Sequence, residues 1–148
     1  MVFTKSFFSD DERKALVAAI ADAEAMTSGE IRVHIEPSTK GKAVLDRAAD
    51  IFAKLEMQNT VARNGVLLYV AHEDHQLAII GDKGINEVVP DNFWESTKDT
   101  MLDHFKKAEF FQGLLFAIKT SGDQLKHYFP SQSNDKNELN NDISEGHI

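Results

Sequence analysis

Cysteine is missing from the 148 residues. Disulfides, thiolate nucleophiles and cysteine-held metals are therefore excluded. Positive charge is scarce: 16 Lys and Arg against 24 Asp and Glu leave a formal net charge of −8. Nucleic acid and anionic membrane surfaces reward clustered cations, so neither suits this chain, whereas a bound cation does. No apolar run approaches the roughly 20 residues that span a bilayer, so direct membrane insertion is not expected. Met1 to Ser9 lacks the apolar stretch and small-residue cleavage site of a secretory signal, and the expectation is a soluble, cytoplasmic protein. The phosphate-loop pattern, the dinucleotide fingerprint and the helical zinc-protease pattern are all missing. No internal repeat is visible.

What is present is organised around Asn64 to Gly84. Asn64-Gly65 is a turn dipeptide, and Val66 to Ala71 is an unbroken apolar run of the kind that forms a strand buried on both faces. His72-Glu73-Asp74-His75 has the length and polarity of a hairpin connection, and Gln76 to Ile80 is the returning strand. Gly81-Asp82-Lys83-Gly84 ends it. Two glycines so close together imply positive φ or a close backbone approach.

Upstream, Ser9-Asp10-Asp11-Glu12 is a capping box opening a helix. Leu16, Ala19, Ile20, Ala23 and Met26 recur on one face of it, and Phe7 and Phe8 suit a staple or a place under the sheet. Glu30 to Glu36 alternates, with Ile31, Val33 and Ile35 on one side and Glu30, Arg32, His34 and Glu36 on the other, the pattern of a half-buried strand. Ala43 to Met57 is a second amphipathic helix, with Val44, Leu45, Ala48, Ile51, Phe52 and Leu55 inward. Strand, helix and strand predict a parallel pair, and the hairpin makes the sheet mixed. Downstream, Ile85 to Val89 reads as a short helical turn. Helices are expected over Phe93 to Ala108 and over about Phe111 to Tyr128, their aromatics in the core. Ser131 to Ile148 is polar and acidic and is expected to be a disordered tail, so that residues 1–130 form the domain and 131–148 the tail.

Four acids stand near strand ends: Glu30, Asp74, Asp82 and Asp91. Carboxylates on loops are the ligands hard cations prefer, and a bound ion can polarise a phosphoryl oxygen or activate water. The plain alternative is that Asp in turns and caps serves the backbone. His72 and His75 read as exposed turn residues, and His34 as a solvated histidine or a base.

Taken together, Ser28-Gly29-Glu30-Ile31-Arg32-Val33, Asn64-Gly65-Val66-Leu67-Leu68-Tyr69-Val70-Ala71, Asp74, Ile80-Gly81-Asp82-Lys83-Gly84-Ile85 and Pro90-Asp91 resemble the TPM-domain family, the thylakoid-lumen acid-phosphatase type. The resemblance runs from about Phe7 to Pro130. It implies an α/β fold in three layers, a mixed sheet between helices on both faces. It also implies weak hydrolysis of phosphate monoesters and Ca²⁺ or Mg²⁺ held by Glu30, Asp74, Asp82 and Asp91. A metal-bound water would then attack phosphorus beside Asp74 and Asp82, with His75 or Lys83 steadying the leaving charge. Many members carry Arg where this chain has His75, so a fixed charge that could clamp phosphate is replaced. The alternative is a non-enzymatic interaction module or accessory factor in the assembly or quality control of membrane-protein complexes, meeting a protein partner. A monomer is expected in either case.

Overall fold

The apolar run at the centre of the sequence becomes the centre of a sheet. In the computed structural model, which describes residues 7–131 and 143–145, the elements run α1 (Asp10–Ala25), β1 (Glu30–Glu36), α2 (Val44–Lys54), β2 (Gly65–Ala71), β3 (Gln76–Gly81), α3 (Lys83–Asn86), α4 (Phe93–Lys106), α5 (Phe110–Tyr128) and β4 (Ser144–Glu145). The strand order is β3-β2-β1-β4. β1 and β2 are parallel with Glu30 opposite Gly65 and Glu36 opposite Ala71. β2 and β3 form the antiparallel hairpin, Val66 opposite Gly81 and Ala71 opposite Gln76. Every residue of β2 is buried, as a strand covered on both faces requires.

One face carries the larger core. Ile31, Val33, Ile35, Val66, Leu68, Val70, Leu77 and Ile79 pack against Leu16 and Ile20 of α1, Met101 of α4 and Leu114, Ala117, Ile118 and Leu125 of α5. On the other face α2 lays Ala48, Ile51 and Phe52 over Leu67, Tyr69, Ala71 and Ala78, with Met57 closing the end. The result is an α/β fold with a mixed sheet between helical layers. Each fully buried aliphatic side chain contributes roughly 1.5–3 kcal/mol.

The capping box forms as expected: Ser9 Oγ accepts from the Glu12 amide and Glu12 accepts from the Ser9 amide. Phe8 enters the core, while Phe7 stacks on His72 at 4.7 Å and meets Phe110 edge-on. Several expected inward positions are not inward. Leu45 is 60% exposed and Met26 is 50% exposed. In α2 the helix is turned so that Arg47, not Leu45, joins Ala48 and Ile51 under the layer. Met26 is the residue on which α1 ends, and Thr27 turns the chain inward, its hydroxyl donating to the Leu125 carbonyl at 3.0 Å. Among the described residues, Lys40, Glu56, Arg63 and His75 adopt left-handed backbone in connections, and Ala108 does so after α4.

The stretch expected to be a disordered tail is corrected at one place. Ile143 is only 4% exposed and joins the larger core, and Ser144 and Glu145 pair in parallel with His34 and Ile35. An isolated aliphatic residue beside an open strand edge suffices to seat it. Residues 132–142 and 146–148 of that stretch lie outside the described residues.

Candidate functional site at the two ends of the sheet

The four acids are divided by the strands themselves. Asp74 lies in the β2–β3 hairpin and accepts from the Thr39 amide at 2.8 Å, tying the hairpin to the β1–α2 connection. Asp82 follows β3 at the opposite end, where its amide donates to Gly65 O at 2.8 Å. All of β3 separates the two, roughly 20 Å at about 3.4 Å per residue. Glu30 is opposite Gly65 and so belongs to the Asp82 end. Asp91 is exposed between α3 and α4. It is also at the Asp82 end, because Trp94 Nε1 donates to Asn86 Oδ1 and Asn86 Nδ2 to Gly81 O. His75 goes with Asp74 and Lys83 with Asp82. A hard cation holds its oxygens at about 2.3–2.6 Å, so these residues do not fit one ion, and among the described residues no group of three or more His, Asp or Glu is placed to hold a metal.

At the Asp82 end the two buried acids, Asp82 and Glu30, are already engaged. Asp82 is buried, caps the short α3 through the Lys83 amide at 2.7 Å, and takes a two-pronged ion pair from Arg63 at 2.7 and 2.9 Å. The expected close approach is found at Gly84: a Cβ there would stand 2.0 Å from the Ala62 carbonyl oxygen. Its amide donates to Arg63 O at 2.7 Å. Glu30 is buried beside Glu24 of α1, whose Oε2 accepts from the Ile31 amide at 2.7 Å. Burial, the hydrogen bond between the two carboxyl groups and the Glu30 charge push Glu24 up to about 9, against the pull of the Ile31 amide and Arg32. This contact is therefore a proton-sharing carboxyl pair at neutral pH.

Under α2 lies a polar layer that sequence patterning missed. Arg47 donates from Nε and Nη2 to the two oxygens of Glu36 at 2.7 and 2.8 Å, and the Tyr69 hydroxyl donates to Glu36 as well. Burial alone would raise the Glu36 carboxyl, but the bonds from Arg47 and Tyr69 outweigh it and hold the group below the usual carboxylate range. Arg47 is raised by the same bond. Tyr69 is pushed up by burial and by its bond to the carboxylate. The expectation of a solvated His34 is overturned: the ring is fully buried, lies parallel to Tyr69 at 6.1 Å between centroids, and has Nε2 3.7 Å from Glu36. Burial lowers His34 to about 4 despite that carboxylate, with Arg47 and Arg32 adding to the effect. The available signal was Arg47 itself, three residues after Val44 and four before Ile51 on the apolar stripe.

At the hairpin end the structure leaves room beside the sheet. A cavity of about 210 Å³ opens between the hairpin and α4 and α5, walled by Leu102, Phe105 and Phe110 and rimmed by His72, His75, Gln76 and Lys106. His75 reaches it from a left-handed backbone with φ of 55°. An apolar floor with a few polar groups at its rim is the ordinary make-up of a ligand pocket.

Comparison with known proteins agrees with this architecture. The NMR structure of BA42 protein from the psychrophilic bacterium Bizionia argentinensis superposes with a TM-score of 0.88 at 49% identity, over 99% of this chain and 100% of that one. The N-terminal domain of cg2496 protein from Corynebacterium glutamicum (TM-score 0.63, 15% identity, 96% of this chain and 83% of that one) shares the fold. So does the N-terminal domain of a protein from P. gingivalis (TM-score 0.67, 18% identity, 86% and 84%). No curated protein matches the chain. The sequence profile of the TPM domain matches residues 2–124, and the chain belongs to the TPM-domain family.

Proposed function

We propose that this TPM domain is a binding module, an accessory factor that recognises a partner at the hairpin end of its sheet. The observation that supports it is the cavity of about 210 Å³ with apolar walls and a rim of His72, His75 and Lys106. That rim carries one fixed cation, Lys106, beside two imidazoles that can donate a hydrogen bond to an anion. The chemistry it suits is an aromatic or aliphatic group carrying a carboxylate a few bonds away, as a peptide side chain or chain end would. Among the described residues no helix is long and apolar enough to cross a membrane.

Hydrolysis of a phosphate monoester by one ion on Glu30, Asp74, Asp82 and Asp91 would need carboxylates that the strands hold apart. The test is amide-shift mapping with 4-phenylbutyrate and with its neutral amide. Shifts at His72, His75 and Lys106 for the acid, weakened several-fold in Lys106→Ala, are expected. In parallel, Ca²⁺ is added with an aryl phosphate, with and without chelator. Turnover above the blank that the chelator abolishes would overturn the proposal.

A further inference from the structure

The two imidazoles on the rim of the hairpin-end cavity are held differently. His75 is exposed on the hairpin turn, on left-handed backbone. His72 is half-buried, and its amide donates to Glu36 O at 3.0 Å just past the end of β2, which fixes its backbone. Its ring is fixed as well: Phe7 lies against it, with centroids 4.7 Å apart and planes 23° apart.

Phe7 is itself well anchored. It meets Phe8 edge-on at 5.0 Å and Phe110 edge-on at 5.1 Å. Phe8 is buried in the core. Phe110 in turn meets Phe105 edge-on at 5.1 Å, and these two rings wall the cavity. Stacked and edge-on contacts are the geometries that aromatic rings prefer. A chain of rings therefore runs from the core through Phe7 to His72. Stacking uses a face of the imidazole, whereas its N–H donor lies in the ring plane. A donor aimed before the ligand arrives binds without the entropic cost of stopping a free rotor.

We propose, on the reading that this cavity receives the partner's carboxylate, that His72 is the hydrogen-bond donor that reads that carboxylate, and that Phe7, which stands behind it, is the positioning residue that aims it. The test titrates 4-phenylbutyrate and its neutral amide into the isotope-labelled full chain and into its Phe7→Leu and Phe7→Tyr variants. The parent is expected to prefer the acid by about tenfold, because hydrogen bonds to a charged acceptor are the strong ones. Phe7→Leu keeps an apolar side chain but no ring to stack, and the preference should fall by roughly threefold or more. Phe7→Tyr keeps the ring and should keep the parent's preference. A packing role alone would weaken acid and amide alike, so a ratio unmoved in Phe7→Leu overturns the proposal. No binding of the acid by the parent overturns the recognition site as well, whereas binding that depends on Lys106 with an unmoved ratio overturns only the roles of His72 and Phe7. Should F7L fail to fold, the parent decides through the ring nitrogens of its histidines in long-range ¹H–¹⁵N spectra. The acid must move those of His72 more than those of His75, and more than the amide does; the reverse order, or no movement at His72, counts as refutation.

Discussion

Glu24→Gln should make the protein more stable at alkaline pH and flatten its stability profile there. In the native chain Glu24 is protonated up to about 9, because burial and the neighbouring Glu30 carboxyl disfavour its charge. Unfolded, it titrates near 4.5. Between those values the folded state binds one proton more than the unfolded state, so stability is fully present below about 4.5 and is lost as pH rises toward 9. One proton corresponds to roughly 1.4 kcal/mol per pH unit, or about 3 kcal/mol between pH 7 and 9. Above pH 7 this slope is not offset by His34, which is shifted downward to about 4. Gln reproduces the protonated form: its carbonyl can accept from the Ile31 amide while its NH₂ donates to Glu30. At pH 8 the variant should melt several degrees above the parent, since for a chain of this size about 1 kcal/mol moves Tm by roughly 2–4 °C. Urea titrations at pH 7, 8 and 9 read the slope directly. A variant with the parent's slope, or one less stable at pH 8, would refute the proton-sharing pair.

Other consequences can be measured in the same assay. Arg47→Met strands the Glu36 carboxylate under α2 and should cost about 3–5 kcal/mol, while Glu36→Leu with Arg47→Met recovers much of it; a double variant no better than the single one would contradict the buried pair. His34 stays neutral in the native state to about 4 but protonates near 6.5 when unfolded, so its contribution is lost as pH falls through that interval. Glu24 slopes the other way there. The parent should therefore be nearly flat from pH 6.5 to 4.5 and His34→Phe should gain stability on acidification, which urea midpoints will show. Gly84→Ala drives a methyl into the Ala62 carbonyl and should cost about 1–3 kcal/mol by thermal melting; an unchanged Tm would mean that the connection yields freely.

The architecture was legible because the relevant signals are local. Val66 to Ala71 names a doubly covered strand, Ser9 to Glu12 a helix start, and the four residues from His72 a hairpin. The candidate site was legible only as a set of residue types. The strand between Asp74 and Asp82 sets them at opposite ends of the sheet, but carboxylates in turns look the same whether they hold an ion or an amide. Asp82 and Asp74 proved to hold Arg63 and the Thr39 amide. The polar layer under α2 was hidden by the alternation of β1: a side of Glu, Arg, His and Glu looks solvated until Arg47 is known to descend onto it. Ile143 was invisible for another reason, since one aliphatic residue among polar neighbours carries no period.

The position of β4 has a consequence for synthesis. Gly81, where the hairpin ends, and Ile143 are 62 residues apart (143 − 81), an interval that a ribosome needs on the order of 3–12 seconds to traverse at about 5–20 residues per second. The hairpin of β2 and β3 closes in roughly microseconds. During translation the nascent sheet thus waits, for a time very long on the scale of molecular encounters, with one flank still uncovered. Crowded polysomes, where identical unfinished chains are neighbours, are where that flank would be most exposed to mispairing.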